Sequence, residues 1–230
     1  MNFVFFHVGE INEPSLLVKS IRKFNNNAKI YFLTDKITEN IIEVDETHRF
    51  DGDKSNLMTF RLKCFAELKL EEPAIYVDSD VLFVKKIDDI FFNNKNTLCL
   101  RTAYFDTLFH EDNITYKRQI FPEFIGKTLG DMFPYLACFT YAKDYKFWLL
   151  CYEYLQTIDP KYHIWFGDQI ALKEIHRTYD KQLIQAIPEK ILCATPEIAN
   201  KNESISIHFK GPKRKPFMVQ VAHSILNLDE

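Results

Sequence analysis

Apolar and polar residues along the first hundred positions alternate between the strand period of about 2 and the helix period of about 3.6 residues. Phe3 to Val8 is a short apolar run. From Glu13-Pro14-Ser15 onward, Leu16, Leu17, Ile21 and Phe24 recur at helical spacing, and Asn25-Asn26-Asn27 ends that stretch. Lys29 to Thr34 is a second strand pattern, closed by Asp35. A strand, a short helix and another strand in this order predict a parallel sheet with right-handed crossovers, an α/β fold. Thr38 to Val44 fits neither period cleanly and reads as a short helix or turn with a little strand. Ser55 to Leu70 is the next predicted helix, with Leu57, Phe60, Cys64 and Leu68 on one face and Glu71-Glu72-Pro73 at its end.

The following run, Ala74 to Val84, reads as a buried strand, a break and a second extended piece, bounded by Pro73 and Lys85-Lys86. Asp78 and Asp80 fall in the break. An unpaired buried carboxylate is costly and two adjacent ones repel, so this pair needs a counter-charge. A divalent cation supplies one through hard oxygen ligands and keeps coordination positions open for substrate phosphates. The pair also lies at the carboxyl end of a predicted parallel strand, where open α/β sheets bind ligands. A plainer reading has Asp78 capping the backbone of a strand-end turn. Asp51-Gly52-Asp53 repeats the Asp-x-Asp spacing, but within the polar stretch Arg49 to Asn56, where solvated carboxylates need no metal.

Periodicity fails between Arg101 and Pro134. Thr97 to Thr102 fits a strand, but Tyr104 to Met132 mixes aromatics and charges with Gly126 and Gly130. Such an insertion is read as a substrate lid or acceptor-binding loop, or as a peripheral helical pair over a sheet face. His110 and Asp112 are the residues to watch in it, although their spacing defines no metal site. Leu136 to Tyr141 is a predicted strand and Tyr145 to Gln156 a helix. Trp165-Phe166-Gly167-Asp168-Gln169 turns into a helix from Ile170 to His176, where Asp168 has the ordinary duty of an N-cap. Leu183 to Ile187 and Ile191 to Cys193 read as short strands. In Ser204 to Phe217, an alternating strand delivers His208 to its end and Gly211-Pro212 turns the chain. Four cations, Lys210, Lys213, Arg214 and Lys215, then fall within six residues. Histidine ligates metals and clustered cations suit phosphate. The alternative is a core histidine beside a solvated basic loop.

Composition narrows the surroundings of these groups. At 230 residues and 47% hydrophobic, with no long polar tract, the chain is expected to form one domain. Its 29 Lys+Arg against 32 Asp+Glu leave a net charge of −3, which gives no argument for a nucleic-acid partner and requires any anion site to be local. Five cysteines, widely spaced and without a Cys-x-x-Cys pair, match reduced core thiols of an intracellular protein better than a disulfide framework or zinc knuckle. No basic leader and no stretch of membrane-spanning length stand out, so the expected location is the cytoplasm. The sequons at Asn113 and Asn202 are expected to be chance matches.

Four blocks together resemble GT-A fold glycosyltransferases of the family-8 group, which includes glycogenin and bacterial lipopolysaccharide galactosyl- and glucosyltransferases. They are Phe60-Arg61-Leu62-Lys63, Tyr76-Val77-Asp78-Ser79-Asp80-Val81-Leu82, Asp168-Gln169, and His208 through Phe217. The resemblance implies a Rossmann-like nucleotide-binding domain with a mixed, mostly parallel central sheet flanked by helices. Residues 1–100 would bind the donor, and residues 101–217 would supply the acceptor side, lid and closing loop. It implies a UDP-hexose or similar nucleotide-sugar donor held with Mn²⁺ or Mg²⁺ by Asp78, Asp80 and His208. Arg61 would contact the donor sugar or diphosphate, Gly211 and Lys215 the phosphates, and Asp168 and Gln169 the sugar ring at the catalytic centre. The family retains anomeric configuration. Because Gln169 offers no carboxylate nucleophile, a front-face mechanism is expected, in which the departing phosphate oxygen accepts the proton of the acceptor hydroxyl. The acceptor would be a hydroxyl on a glycan, a lipid-linked sugar or a protein, in synthesis of bacterial surface glycans at the inner membrane face.

The chain departs from the family pattern in places. After the first strand, Phe6-His7-Val8-Gly9-Glu10 offers Glu10 as the acidic residue to read a uracil, and Leu136-Ala137-Cys138 replaces the family's Asn-Ser/Ala-Gly segment. The closing motif has one extra residue before Lys215-Pro216 and ends in Phe217 instead of tryptophan, and Met218 to Glu230 is not a basic membrane-docking tail. Two other readings stand beside this one: a metal-dependent nucleotidyltransferase, which would release diphosphate, and a non-catalytic nucleotide-sugar-binding protein of the same fold.

Overall fold

The pleat of the first strand sorts its side chains into two cores. In the computed structural model, which describes residues 1–116, 119–164 and 166–226, β1 (Asn2–Phe6), α1 (Asn12–Phe24) and β2 (Lys29–Thr34) form a parallel β-α-β unit. β3 (Glu46–Arg49) extends that edge, and after α2 (Leu57–Glu67) the chain returns through β4 (Ala74–Asp78) on the other side of β1. β5 (Val81–Phe83) leaves the sheet and β6 (Asn96–Leu100) rejoins it. The short hairpin of β7 (Thr115–Tyr116) and β8 (Gln119–Ile120), then α3 (Leu129–Met132), lead into the buried β9 (Tyr135–Ala142). α4 (Lys146–Thr157), α5 (Gly167–Thr178), β10 (Ile184–Pro188), α6 (Glu189–Leu192), β11 (Ser206–His208) and α7 (Lys215–Leu226) complete the order.

Seven strands make one sheet in the order β10-β6-β9-β4-β1-β2-β3. All run parallel except β9, which is antiparallel to both β4 and β6. This is the single α/β domain with a mixed, mostly parallel sheet that the sequence predicts. Phe3, Phe5, Ile75 and Val77 face Leu17, Val18 and Ile21 of α1. Val4, Phe6 and Tyr76 face the opposite core, with Phe65 of α2, Trp148 of α4 and Leu172 of α5. There the rings of Phe65, Tyr76 and Trp148 pack with centroids 4.8 to 5.0 Å apart, and each such buried side chain is worth about 1.5–3 kcal/mol in transfer free energy. The same alternation carries Asp78, two residues after Tyr76, toward α2 and α5.

The structure differs from the sequence reading at the periphery. β3 is a polar edge strand, Glu-Thr-His-Arg, with no apolar alternation to announce it. Ile191 and Cys193, read as a strand, belong to α6 and its C-terminal cap. α7 was unforeseen because only Met218 and Ala222 of it are buried; Pro216 sits in its first turn, where a missing N–H costs nothing. The insertion is not a helical pair: its hairpin, turns and α3 gather around a satellite core of Ile114, Phe121, Phe124 and Phe133. Trp165 of the predicted turn, and residues 227–230 of the tail, lie outside the described residues. All five cysteines are buried and unpaired, and among the described residues no helix is long and apolar enough to cross a membrane.

Candidate functional site

β4 ends at Asp78, and the chain turns through Ser79 and Asp80 before β5. β5 pairs antiparallel with β11, so that His208 stands opposite Val81, and the Phe209 amide donates to the Asp80 carbonyl at 2.9 Å. This two-stranded ladder brings the remote histidine to the aspartate turn. His208 Nε2 lies 3.2 Å from Asp80 Oδ1 and 3.7 Å from Asp78 Oδ2, and one ligand atom from each of the three residues fits within 4.8 Å of the others.

The His208 side chain is only 5% exposed, yet neither ring nitrogen has an aligned hydrogen-bond partner among the described residues. Proximity without alignment is how ligands that face a common point are arranged. Adjacent ligands about 2.1 Å from an octahedral cation stand about 3 Å apart, close to the Asp80–His208 separation of 3.2 Å. Two carboxylates and an imidazole suit a divalent cation of the Mn²⁺ or Mg²⁺ type.

Arg61 of α2 locks this turn from below. Its guanidinium is buried between two carboxylates, with Nη1 donating to Asp78 Oδ1 and Nη2 to Asp168 Oδ2. Asp168, in the first turn of α5, also accepts the Gln169 amide at 2.6 Å. Burial pushes the Asp78 carboxyl up to about 6, against the pull of Arg61. Burial likewise raises Asp168, again opposed by Arg61. For Asp80, burial acts upward, but the nearby His208 outweighs it and holds the carboxyl below its usual range. Burial disfavours the His208 imidazolium, but Cys138 and Asp80 overcome that and hold its pKa well above the usual histidine value.

These groups form one wall of a cavity of about 490 Å³. Arg61, Asp78, Asp80, Asp168, Gln169, His208 and Gly211 all reach it, joined by Arg101 and Lys210. The opposite wall is apolar, built by Phe109, Phe121, Phe124 and Phe133 from the insertion and by Phe166. Gly211 takes φ +81 after His208, a left-handed conformation that glycine adopts without strain.

Other singled-out residues lie elsewhere. Lys215 is not on the cavity wall: it starts α7, and its Nζ pairs with Glu13 at 3.0 Å. His110 and Asp112 are exposed in turns, while their neighbour Asn113 lines the cavity. Asp51 pairs with Lys36, and Asp53 caps the following turn through the Ser55 amide. Glu10 borders a second cavity of about 260 Å³ at the end of β1, with Asp35, Thr38 and Lys54. Burial pushes Asp35 upward, but Lys54 and Thr38 overcome it and hold the carboxyl well below its usual range.

Sequence reasoning missed Arg101. Its Nε donates to the Phe133 carbonyl at 2.7 Å and its Nη2 to Gln169 Oε1 at 2.7 Å, so it joins the insertion to α5. A basic residue directly after a strand in the parallel set, at the sheet edge where ligands bind, was the available signal.

No protein-family model matches the chain, and no curated protein matches it by sequence. Solved structures do match its fold. Galactosyltransferase LgtC, crystallised with donor and acceptor sugar analogues, aligns over 97% of this chain and 96% of its own at 13% identity and a TM-score of 0.60. Glycosyltransferase GlyE of Streptococcus pneumoniae TIGR4 aligns over 98% of this chain at 14% identity and a TM-score of 0.61, and this chain spans 62% of its length. The single α/β domain described above thus has the GT-A fold of these glycosyltransferases.

Proposed function

We propose that this protein is a metal-dependent glycosyltransferase that moves a hexose from a nucleotide sugar, most simply a UDP-sugar, to a hydroxyl acceptor with retention. The observation that carries the reading is the convergence of Asp78, Asp80 and His208 on one wall of a cavity that also holds Lys210, Arg101 and Gln169. Asp78, Asp80 and His208 would hold Mn²⁺ or Mg²⁺. Such an ion, when bound, binds the donor diphosphate and offsets the negative charge that grows on it as the glycosidic bond breaks.

The chain's own groups divide the remaining work. Arg61 keeps Asp78 ionised and oriented. Asp168 is committed to Arg61 and to the Gln169 amide, which makes it a positioning residue. Gln169, held by Arg101, is left to touch the sugar. Lys210 and the Gly211 turn meet the phosphates, the part first assigned to Lys215. The smaller cavity beside Glu10, Asp35 and Thr38 is the place proposed for the nucleobase. The wall of phenylalanines excludes water, which favours transfer over hydrolysis, and offers flat apolar faces to an acceptor sugar. Gln169 is no carboxylate nucleophile, so the proton of the acceptor hydroxyl goes to the departing phosphate oxygen. LgtC is described with donor and acceptor sugar analogues; a glycan acceptor of bacterial surface synthesis is the corresponding substrate proposed here.

The test is a thermal-shift panel of UDP-, GDP-, CDP- and ADP-sugars with and without Mn²⁺, since a ligand of the native state raises the melting temperature. A UDP-sugar shift that appears with Mn²⁺ and disappears with chelator is expected. Equal shifts without metal, or none with any nucleotide sugar, would defeat the reading.

A further inference from the structure

Beside the imidazole of His208 the protein buries a second set of metal-ligating atoms. Cys138 stands in the middle of β9 and Cys193 directly follows α6. Their sulfurs and a ring nitrogen of His208 lie within 4.8 Å of one another, with all three residues buried. Cys138 neighbours Cys99 as well as Cys193 and His208. The backbone fixes this cluster independently: the Cys193 amide donates to Glu189 at 2.9 Å, and the next residue, Ala194, bonds both ways with β11, from its amide to Ser206 at 3.0 Å and to its carbonyl from His208 at 2.8 Å.

A single buried thiol is an ordinary small core residue. Two beside an imidazole whose nitrogens are buried without an aligned partner form a donor set, and a ligand there would relieve the unmet nitrogens. The chemistry of that set differs from the carboxylate site. Asp78 and Asp80 offer hard oxygen, whereas sulfur with imidazole selects Zn²⁺ and softer ions. A tetrahedral Zn²⁺ with Zn–S bonds of about 2.3 Å sets neighbouring ligand atoms about 3.8 Å apart, so atoms already within 4.8 Å need to close by no more than their side chains can supply. Access exists: Cys138 and His208 line the large cavity, and Cys193 lies behind them.

We propose that Cys138, Cys193 and His208 form a second, thiophilic metal site, filled through the large cavity by Zn²⁺ or a similar soft dication. Because His208 belongs to both sets, filling this site opposes the carboxylate site. A soft ion either takes the shared nitrogen or places two positive charges beside it, and both weaken binding of a hard cation by Asp78 and Asp80. The opposition rests on the function proposed above; binding to the thiols does not.

Cd²⁺ titrated into the reduced 230-residue chain should raise a thiolate-to-metal charge-transfer band that saturates at about one ion per chain. Cys138→Ser and Cys193→Ser should each abolish it, His208→Ala should weaken Cd²⁺ affinity roughly tenfold or more, and Asp80→Asn and Cys151→Ser should leave it. Cys193 is off the cavity wall, so Cys193→Ser, checked for a native melt by circular dichroism, suffices if the Cys138 variant does not fold. No band in the wild type, or equal bands in folded Cys193→Ser and wild type, overturns the site. Bound Cd²⁺ should also raise free Mn²⁺, read by electron paramagnetic resonance. An intact band in a protein that never binds Mn²⁺ supports the thiol site and defeats the proposed function instead.

Discussion

Removing the charge of Arg61 tests the packing beneath the metal turn. Its side chain is 7% exposed and bridges Asp78 and Asp168, themselves 24% and 2% exposed. Arg61→Met keeps an unbranched stem of similar length and leaves two carboxylates without their cation. Breaking a buried ion pair from one side costs about 3–5 kcal/mol. For a chain of this size each kcal/mol moves the melting temperature by about 2–4 °C, so the variant should melt roughly 6–20 °C lower near neutral pH in chelator. The pH dependence has a definite sign. Burial already raises Asp78 and Asp168, and Arg61 opposes that rise at both. Without Arg61 their folded-state pKa values climb further above the unfolded ones, so the deficit is full above those values and shrinks as the pH falls through them and the carboxyls protonate. Melts followed by circular dichroism should therefore show a smaller gap between variant and wild type near pH 5 than near pH 7.5, and adding Asp168→Asn should recover part of it. A loss below about 2 °C, or one independent of pH, would refute the claim that Arg61 is the counter-charge of both residues.

Further outcomes follow from the same geometry. Asp80→Asn and His208→Ala should each abolish Mn²⁺-dependent UDP binding in calorimetry while the native melt survives, because each removes a ligand from the same ion; unchanged affinity in either would remove that residue from the site. Mn²⁺ affinity should fall as the pH drops through about 6, the value to which burial pushes Asp78, since a carboxyl protonated below that pH must lose its proton to bind; His208, raised well above its usual value, adds to the same sign, and a pH-independent affinity between pH 5 and 8 would contradict both. Lys210→Ala should weaken UDP binding by roughly tenfold, as loss of a charge-assisted phosphate contact does, and Lys215→Ala should leave it nearly unchanged; the reverse order would restore Lys215 to the phosphate role. Gly211→Val forces a branched side chain to φ +81, a strain of about 1–3 kcal/mol, so nucleotide affinity should fall together with a metal-free melting temperature lower by about 2–12 °C, and an unaffected Kd would separate this turn from the donor.

The middle of the sheet was legible in the sequence because its strands are buried on both faces and write themselves as apolar runs. Phe3, Ile30, Ile75 and Phe139 all sit in such runs and all are fully buried. The aspartate turn was legible for the opposite reason, as a charge that an apolar run does not tolerate without a partner. The role of Arg61 under Asp78 and Asp168 is a tertiary fact, since it joins α2 to α5 and leaves no local pattern beyond one arginine among helix-forming residues. β3 and α7 stayed hidden because each buries too little to impose a period on its residues. Within the basic cluster after His208, the place of Lys215 before Pro216 in the closing motif favoured it for the phosphates over Lys213 and Arg214, and no local pattern showed that it would start α7 and pair with Glu13, away from the cavity wall that Lys210 reaches. The cysteines read singly as core thiols, and nothing in their spacing showed that Cys138 and Cys193 meet at His208.

Anomalous diffraction at the manganese edge from crystals soaked with Mn²⁺ and UDP tests the proposed metal centre directly. One strong peak bounded by Asp78, Asp80 and His208 is expected, with nucleotide density touching the same ion and Lys210 alongside. A peak at the Asp51 and Asp53 loop instead, or nucleotide bound in the large cavity with no metal between these three side chains, would contradict it.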